Sequence, residues 1–520
     1  MENTKEEKAI MTKKGAELYA ECIADYVLPD YKGDVKRIMH TEARAIPTGK
    51  FIGEDSCEFS GSVIFDVVYV SAENKLESVS FTADYSVGAD APQDAAEVFA
   101  TAACEGVNVR LTGPRKVSAR CRAVTSVYVD TALSVNAVGT TLDEESLPEL
   151  SLRDINVGRV LVGELKDVGY TTEVLFAMGA VLDDVSISAE RACVHVTNAT
   201  AGDGEVTLFG EIEISCVMTR ADSAPRRESV MLPFEERIEV SGAHDVMIAR
   251  GMGAVESLKI TAIPADDGVH VSADVAVRYS AYALCNSATE AVKDAYSKIY
   301  DTENKYKTTD YREIVDAKRT SAKVSREIAK KETDAPLAVD IVYLSAIPEI
   351  ESVRIESSEV KIEGEIRFSG VACEISDDAS AVYSSLRIGV PFSEKVNYNS
   401  QIPRNATVEC SVDVTNARMD LDSENFYLEA GISVDTVLAL KQEIDTLDSS
   451  DIIEGTKAEP SASVINIYYP EEGDTLFEVA KRFKTSPRQI AEDNSLTKEA
   501  VSATGKDALS SVRKLLIRKS

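Results

Sequence analysis

The chain has 520 residues, 44% hydrophobic and 28% charged, which argues against extensive disorder and is too long for one core, so three to four domains are expected. Its formal net charge of −32 repels phosphate-rich and anionic surfaces, which argues against nucleic acid and against charge-driven membrane binding. No stretch reaches the roughly 18 apolar residues of a membrane span, and the start MENTKEEKAIMTKKGAELYAECIADYVLP lacks an apolar signal core, so the chain reads as cytosolic.

The first recurrent pattern is FSGSVIFDVVYV, in which Phe59, Val63, Phe65, Val67 and Tyr69 alternate around Gly61. It returns as LFGEIEISCVM, with Leu208, Gly210, Ile212, Ile214 and Cys216, and again as IEGEIRFSGVA, with Ile362, Gly364, Ile366 and Phe368. A period of two with polar residues on the other face marks a half-buried antiparallel strand. A glycine at one register in every copy predicts a bulge or a close backbone approach. A second strand follows each glycine: SVSFTADYSV, SVMLPFEERIEV and SLRIGVPFSEKVNY. Gly61 to Asp84 and Gly210 to Pro233 are each 23 positions, and Gly364 to Pro391 is 27. Further alternating strands close each copy. The three glycines lie 149 and 154 residues apart, so the repeating unit is a domain. The predicted fold is mainly β, with tandem β-sandwich-like domains at 22–135, 155–287 and 335–440 and a small C-terminal βααβ module at 464–520.

Between the copies the composition shifts. TLDEESLPELSLRD reads as an acidic, proline-marked joint, and residues 288–334, charged and free of glycine, are predicted to form a helical connector. Residues 441–463 are polar with Ser, Pro and Gly, the character of a flexible linker.

The last segment contains VINIYYPEEGDTLFEVAKRFKTSPRQIAEDN. Residues 464–469 read as a strand, and Asp474 or Thr475 caps a helix that turns Leu476, Val479, Ala480 and Phe483 inward. Ser486 and Pro487 open a second helix that carries Ile490 and Ala491 inward, and RKLLIRKS returns as a strand. From Val464 onward ten Lys/Arg stand against eight Asp/Glu, a net of +2 that leaves −34 for the rest. AKRFK, VRK and IRKS are therefore either a surface for an acidic partner or a solvated helix face.

Motifs for catalysis and cofactors are missing from the sequence. The four histidines, at 40, 195, 244 and 270, lack ligand spacing, and His195 and His270 read as ordinary strand positions. TGKDA lacks the flanking residues of a phosphate loop, and no nucleophile elbow or His-Glu-x-x-His helix occurs. Asp183 with Asp184 and Asp266 with Asp267 fall in apparent turns, where solvation explains them. The nine cysteines are spread with no pair closer than seventeen positions, which predicts reduced, buried thiols. No catalytic residue, cofactor or metal is expected.

EEGDTLFEVAKRFKTSPRQIAEDNSL resembles the LysM module, with its Gly-Asp-Thr-Leu turn and the Asn-x-Leu after the second helix. The chain departs from that module at VSATGKDALSSVRKLLI, where such modules carry a Gly-Gln-x-Leu approach to the last strand beside the sugar groove. The repeated strand, its PF corner and the preceding YVLPDYKGDVKRIMHTEARAI resemble the SPOCS domain of endospore-forming bacteria. Three such domains followed by LysM are similar to spore coat assembly proteins that tether a coat-basement ATPase to the forespore surface. The resemblance implies a non-enzymatic scaffold in the mother cell whose LysM module docks to that ATPase while its β domains bind other coat proteins. The LysM binding surface is expected around the first turn and second helix, at Asp474, Thr475, Arg488, Asn494 and Leu496, with Gly473 forming the turn. Self-association of the β domains is also open. The alternative is a peptidoglycan-binding protein in which LysM holds the wall polymer.

Overall fold

A computed structural model describes residues 9–53, 56–90, 95–133, 149–178, 181–220, 224–376, 380–453, 455–456, 465–471, 473–496, 509 and 512–518. In the first domain, β1 (Ala9–Val27), β2 (Val35–Ile52), β3 (Ser56–Ser71), β4 (Leu76–Asp90), β5 (Ala95–Gly113) and β6 (Lys116–Leu133) make two antiparallel sheets, ordered β1-β6-β5 and β2-β3-β4. The sheets pack face to face over Phe65, Val67, Tyr69, Phe81, Val117 and Cys121, all buried. The alternation read from the sequence supplies that face.

The same topology occurs twice more. The second domain holds β7 (Glu149–Val162), β8 (Lys166–Met178), β9 (Val185–Ala201), β10 (Glu205–Arg220), β11 (Arg226–Glu239), β12 (Ile248–Ala265) and β13 (Gly268–Tyr296). Its inner sheet is β11-β10-β9; β7 and β8 follow one another along β13, where the other domains use a single strand. The third domain holds β14 (Thr302–Ala329), β15 (Asp340–Glu356), β16 (Glu359–Ile375), β17 (Ala381–Asn397), β18 (Ala406–Leu421) and β19 (Asn425–Ile452), in sheets β14-β19-β18 and β15-β16-β17.

Two segments differ from the sequence reading. The charged stretch 288–334, expected to be a helical connector, is the end of β13 and the 28-residue strand β14. Residues 441–452 of the expected linker are strand as well, paired along β14 as far as Thr302 opposite Ile452. Cross-strand ion pairs explain the charge: Lys305 with Asp451 at 3.7 Å, Lys307 with Asp448 at 3.6 Å and Lys323 with Glu429 at 2.7 Å. The first domain also reaches back to Ala9, before the expected start at 22.

The repeat glycine has one job in every copy. Gly61, Gly210 and Gly364 stand opposite Tyr85, Phe234 and Phe392 on the following strand. A Cβ on Gly210 would overlap the His195 carbonyl oxygen and lie 2.7 Å from the Phe234 ring, and one on Gly364 would overlap the Glu349 carbonyl oxygen and lie 2.8 Å from the Phe392 ring. On the other side the preceding strand bulges, the extra residue being Thr48, Thr197 and Glu351 respectively. Both the bulge and the close approach are therefore present.

A second irregularity in β2, β9 and β15 joins the domains. Met39 and Val342 are the extra residues of bulges, and Ala189 lies where the β9–β10 register shifts, with φ +48°. All three are buried in one shared cluster with Val68, Val217 and Val371, each seven residues beyond its repeat glycine. Bulges re-aim side chains across a sheet edge, and here they turn equivalent positions of three domains onto each other. A second shared cluster joins Met11 of β1, Ile155 and Val157 of β7, Ala291 of β13, Tyr311 of β14 and Ile444 of β19. Polar links support the contact: Ser345 Oγ donates to Glu42 at 3.0 Å, and Arg278 donates to the Pro47 carbonyl at 2.9 Å. Among the described residues, no helix is long and apolar enough to cross a membrane.

Candidate functional site

The C-terminal module is built from β20 (Ile465–Tyr468), α1 (Leu476–Phe483), α2 (Pro487–Asp493) and β21 (Leu515–Arg518), the two strands pairing antiparallel. Leu476, Val479, Ala480, Ile490, Ala491, Leu515 and Ile517 form its core, with Phe483 and Leu496 packed against it. Gly473, at φ +97°, makes the turn into α1 where a side chain would be strained. Thr475 closes a capping box: its Oγ1 accepts from the Glu478 amide at 3.2 Å, and its own amide donates to Glu478 at 3.1 Å. Asp474 accepts from the Tyr468 hydroxyl at 2.6 Å and from the Glu471 amide at 2.8 Å. Burial opposes its charge, but those bonds outweigh burial and hold the carboxyl below the usual carboxylate range.

Asn494 joins α2 to β21. It donates to the Ile490 carbonyl at 2.8 Å and the Leu516 carbonyl at 2.7 Å, and accepts from the Leu516 amide at 2.7 Å. Without these bonds the end of α2 and the edge of β21 would leave backbone groups unpaired.

The module sits on the body of the protein. Tyr296, at the end of β13, is 3% exposed and belongs to the module's core cluster. Its ring meets Phe477 edge to face, centroids 5.1 Å apart, and its hydroxyl donates to the Thr485 carbonyl at 2.5 Å. Lys481 pairs with Asp294 at 2.5 Å, and Lys484 pairs with Asp301. The acidic surface met by two lysines of AKRFK is therefore this chain's own second domain and the turn that follows it. Sequence reasoning missed Tyr296, Asp294 and Asp301, whose local pattern carries no signal for a partner some 180 residues away.

Of the six positions expected to form the binding surface, the structure leaves Arg488 fully outward, in an i,i+4 pair with Glu492 at 3.1 Å. Gly473, Asp474, Thr475 and Asn494 are half-buried and hold the module's own turns together, and Leu496 is half-buried against its core. Ser486 occupies the N-cap of α2 as expected, but its side chain makes no capping bond. The outward face is instead Arg488, Gln489, Arg513 and Lys514, with Ile465, Ile467 and Leu516 exposed on the small sheet and Tyr469 exposed just after β20. The departure from the LysM pattern, at 501–517, falls largely on 501–508 and 510–511, outside the described residues.

The fold is thus a multidomain β-protein carrying a small βααβ binding module at its end. The sequence model of the LysM domain family matches residues 471–501, which spans the capped turn, both helices and Asn494. No curated protein matches the chain.

Proposed function

We propose that this protein is a non-enzymatic scaffold of the spore envelope, made in the mother cell and held at the forespore surface by a coat-basement morphogenetic ATPase that its LysM module grips. The observation that carries the reading is the LysM match on a module whose α1 is engaged by the body while Arg488 and Gln489 of α2 and Arg513 and Lys514 before β21 remain outward. Fixing the module through Tyr296 presents that face in one orientation relative to the three β domains, as a scaffold requires. The SPOCS-like pattern of the three domains supports the same reading, with coat proteins or a second copy as their partners. The LysM match also supports a second reading, in which the module holds peptidoglycan or its precursor.

Localisation in a sporulating endospore former tests the proposal. A fluorescent fusion of the full chain is expected to ring the forespore, and Arg488→Glu with Lys514→Glu to disperse it at unchanged abundance. A ring that survives both changes, or one that persists without the ATPase, contradicts the docking route.

A further inference from the structure

Where β9 meets the third domain, alternate residues place Arg191, Cys193 and His195 on one face of the strand, lining a cavity of about 240 Å³. His195 is 8% exposed. Its Nδ1–H donates to the Val414 carbonyl of β18 at 2.8 Å, and its Nε2, 3.7 Å from Glu213 on β10, has no hydrogen-bond partner among the described residues. Glu213 stands directly opposite Cys193 in the β9–β10 register and accepts a bond from Arg227 of β11. Glu42 of β2 and Asp413 of β18 complete the charged lining, while β12 and β15 contribute apolar side chains and glycines.

We propose that Cys193 is a peroxide-reactive nucleophile, activated by His195 and Arg191 and reached by small hydroperoxides through this cavity. An acid, an imidazole and a thiol converge there with a guanidinium beside them, and the space admits several water-sized molecules. The electrostatics agree with the geometry. Burial alone would raise the thiol, but Arg191 and His195 outweigh it and hold Cys193 below the usual thiol range. Burial would likewise lower His195, but Cys193 and Glu213 outweigh it and raise it to about 10, so the imidazolium persists at neutral pH. In the reaction the thiolate sulfur attacks one peroxide oxygen and the O–O bond breaks. The departing hydroxide takes the Nε2 proton of His195 and leaves as water. Sulfur loses two electrons to become a sulfenic acid, and the peroxide is reduced. Cys285 and Cys410 are also half-buried, but burial pushes both thiols up, Cys410 to about 11.

The test treats the full-length chain with hydrogen peroxide in the presence of dimedone and follows adducts on each cysteine by peptide mass spectrometry. Cys193 is expected to label at least tenfold faster than Cys285 and Cys410. His195→Asn, whose amide keeps a donor for the Val414 carbonyl, is expected to bring it down to their rate, and Arg191→Gln to slow it severalfold. Circular dichroism checks that each variant is folded. Equal labelling of the three cysteines in the unmodified chain overturns the proposal whatever the variants do, as does a folded His195→Asn that labels at the original rate.

Discussion

Tyr296→Ala tests whether the LysM module is docked on the body or merely tethered to it. Removing a buried aromatic side chain costs about 3–5 kcal/mol. Here the removed ring includes the edge-to-face contact with Phe477, worth about 1 kcal/mol beyond its area, and the hydroxyl bond to Thr485, worth about 1 kcal/mol. The two lysine pairs are partly exposed, and each adds well under 1 kcal/mol. If about 3 kcal/mol of the loss falls on docking, the docked-to-free ratio drops by two decades. A zero-length carbodiimide reads this directly, because it joins amines to carboxylates already in contact. The unmodified chain should yield Lys481–Asp294 and Lys484–Asp301 cross-links, and Tyr296→Ala should lose nearly all of both while the β domains keep their circular dichroism. Equal cross-linking in a folded Tyr296→Ala variant would refute docking through this residue.

Four further outcomes follow from the geometry. Gly364→Ala should lower stability by about 1–3 kcal/mol in urea unfolding, because the new Cβ meets the Glu349 backbone and the Phe392 ring, whereas Gly169→Ala, with open space around it, should be near neutral. Leu496→Ala should destabilise the tail by about 2 kcal/mol and so weaken partner binding through folding, whereas Arg488→Glu should weaken it with the tail's melting unchanged. On the acid side, Glu42 and Glu213 are lowered to about 2: burial opposes their charge, but the imidazoles of His40 and His195, 3.6 and 3.7 Å away, and the nearby arginines outweigh it. Their contribution to stability is present above pH 4.5 and is lost as pH falls toward 2, so melting followed between pH 5 and 2 should drop less steeply in Glu213→Gln. His195, raised to about 10, contributes fully below 6.5 and loses that contribution as pH rises through 10.

The three inner strands were legible because their buried faces alternate strictly around a glycine, and the structure gives that glycine a reason in Tyr85, Phe234 and Phe392. Strand β14 was not legible. As an edge strand it carries lysines and few buried residues, Tyr311, Ile314 and Val324 among them, so its composition mimics a solvated helix; pairing along β19 decides its conformation. The bulges that bring Met39, Ala189 and Val342 together depend on contacts between domains, which no local pattern encodes. In the tail, both helices and the turn at Gly473 were readable, but Asn494 looked like an outward contact. Its amide is used by β21, a strand more than twenty residues away.

Under the proposed function, the outward face of the LysM module binds a protein of the coat basement. The direct measurement is the affinity of the purified full-length chain for the purified ATPase, beside its sedimentation with peptidoglycan sacculi. A saturable complex with the ATPase, weakened at least tenfold by Arg488→Glu with Lys514→Glu, is expected, with no sedimentation with sacculi. Sedimentation with sacculi and no complex with the ATPase would contradict the proposed function and make the module a wall-polymer holder.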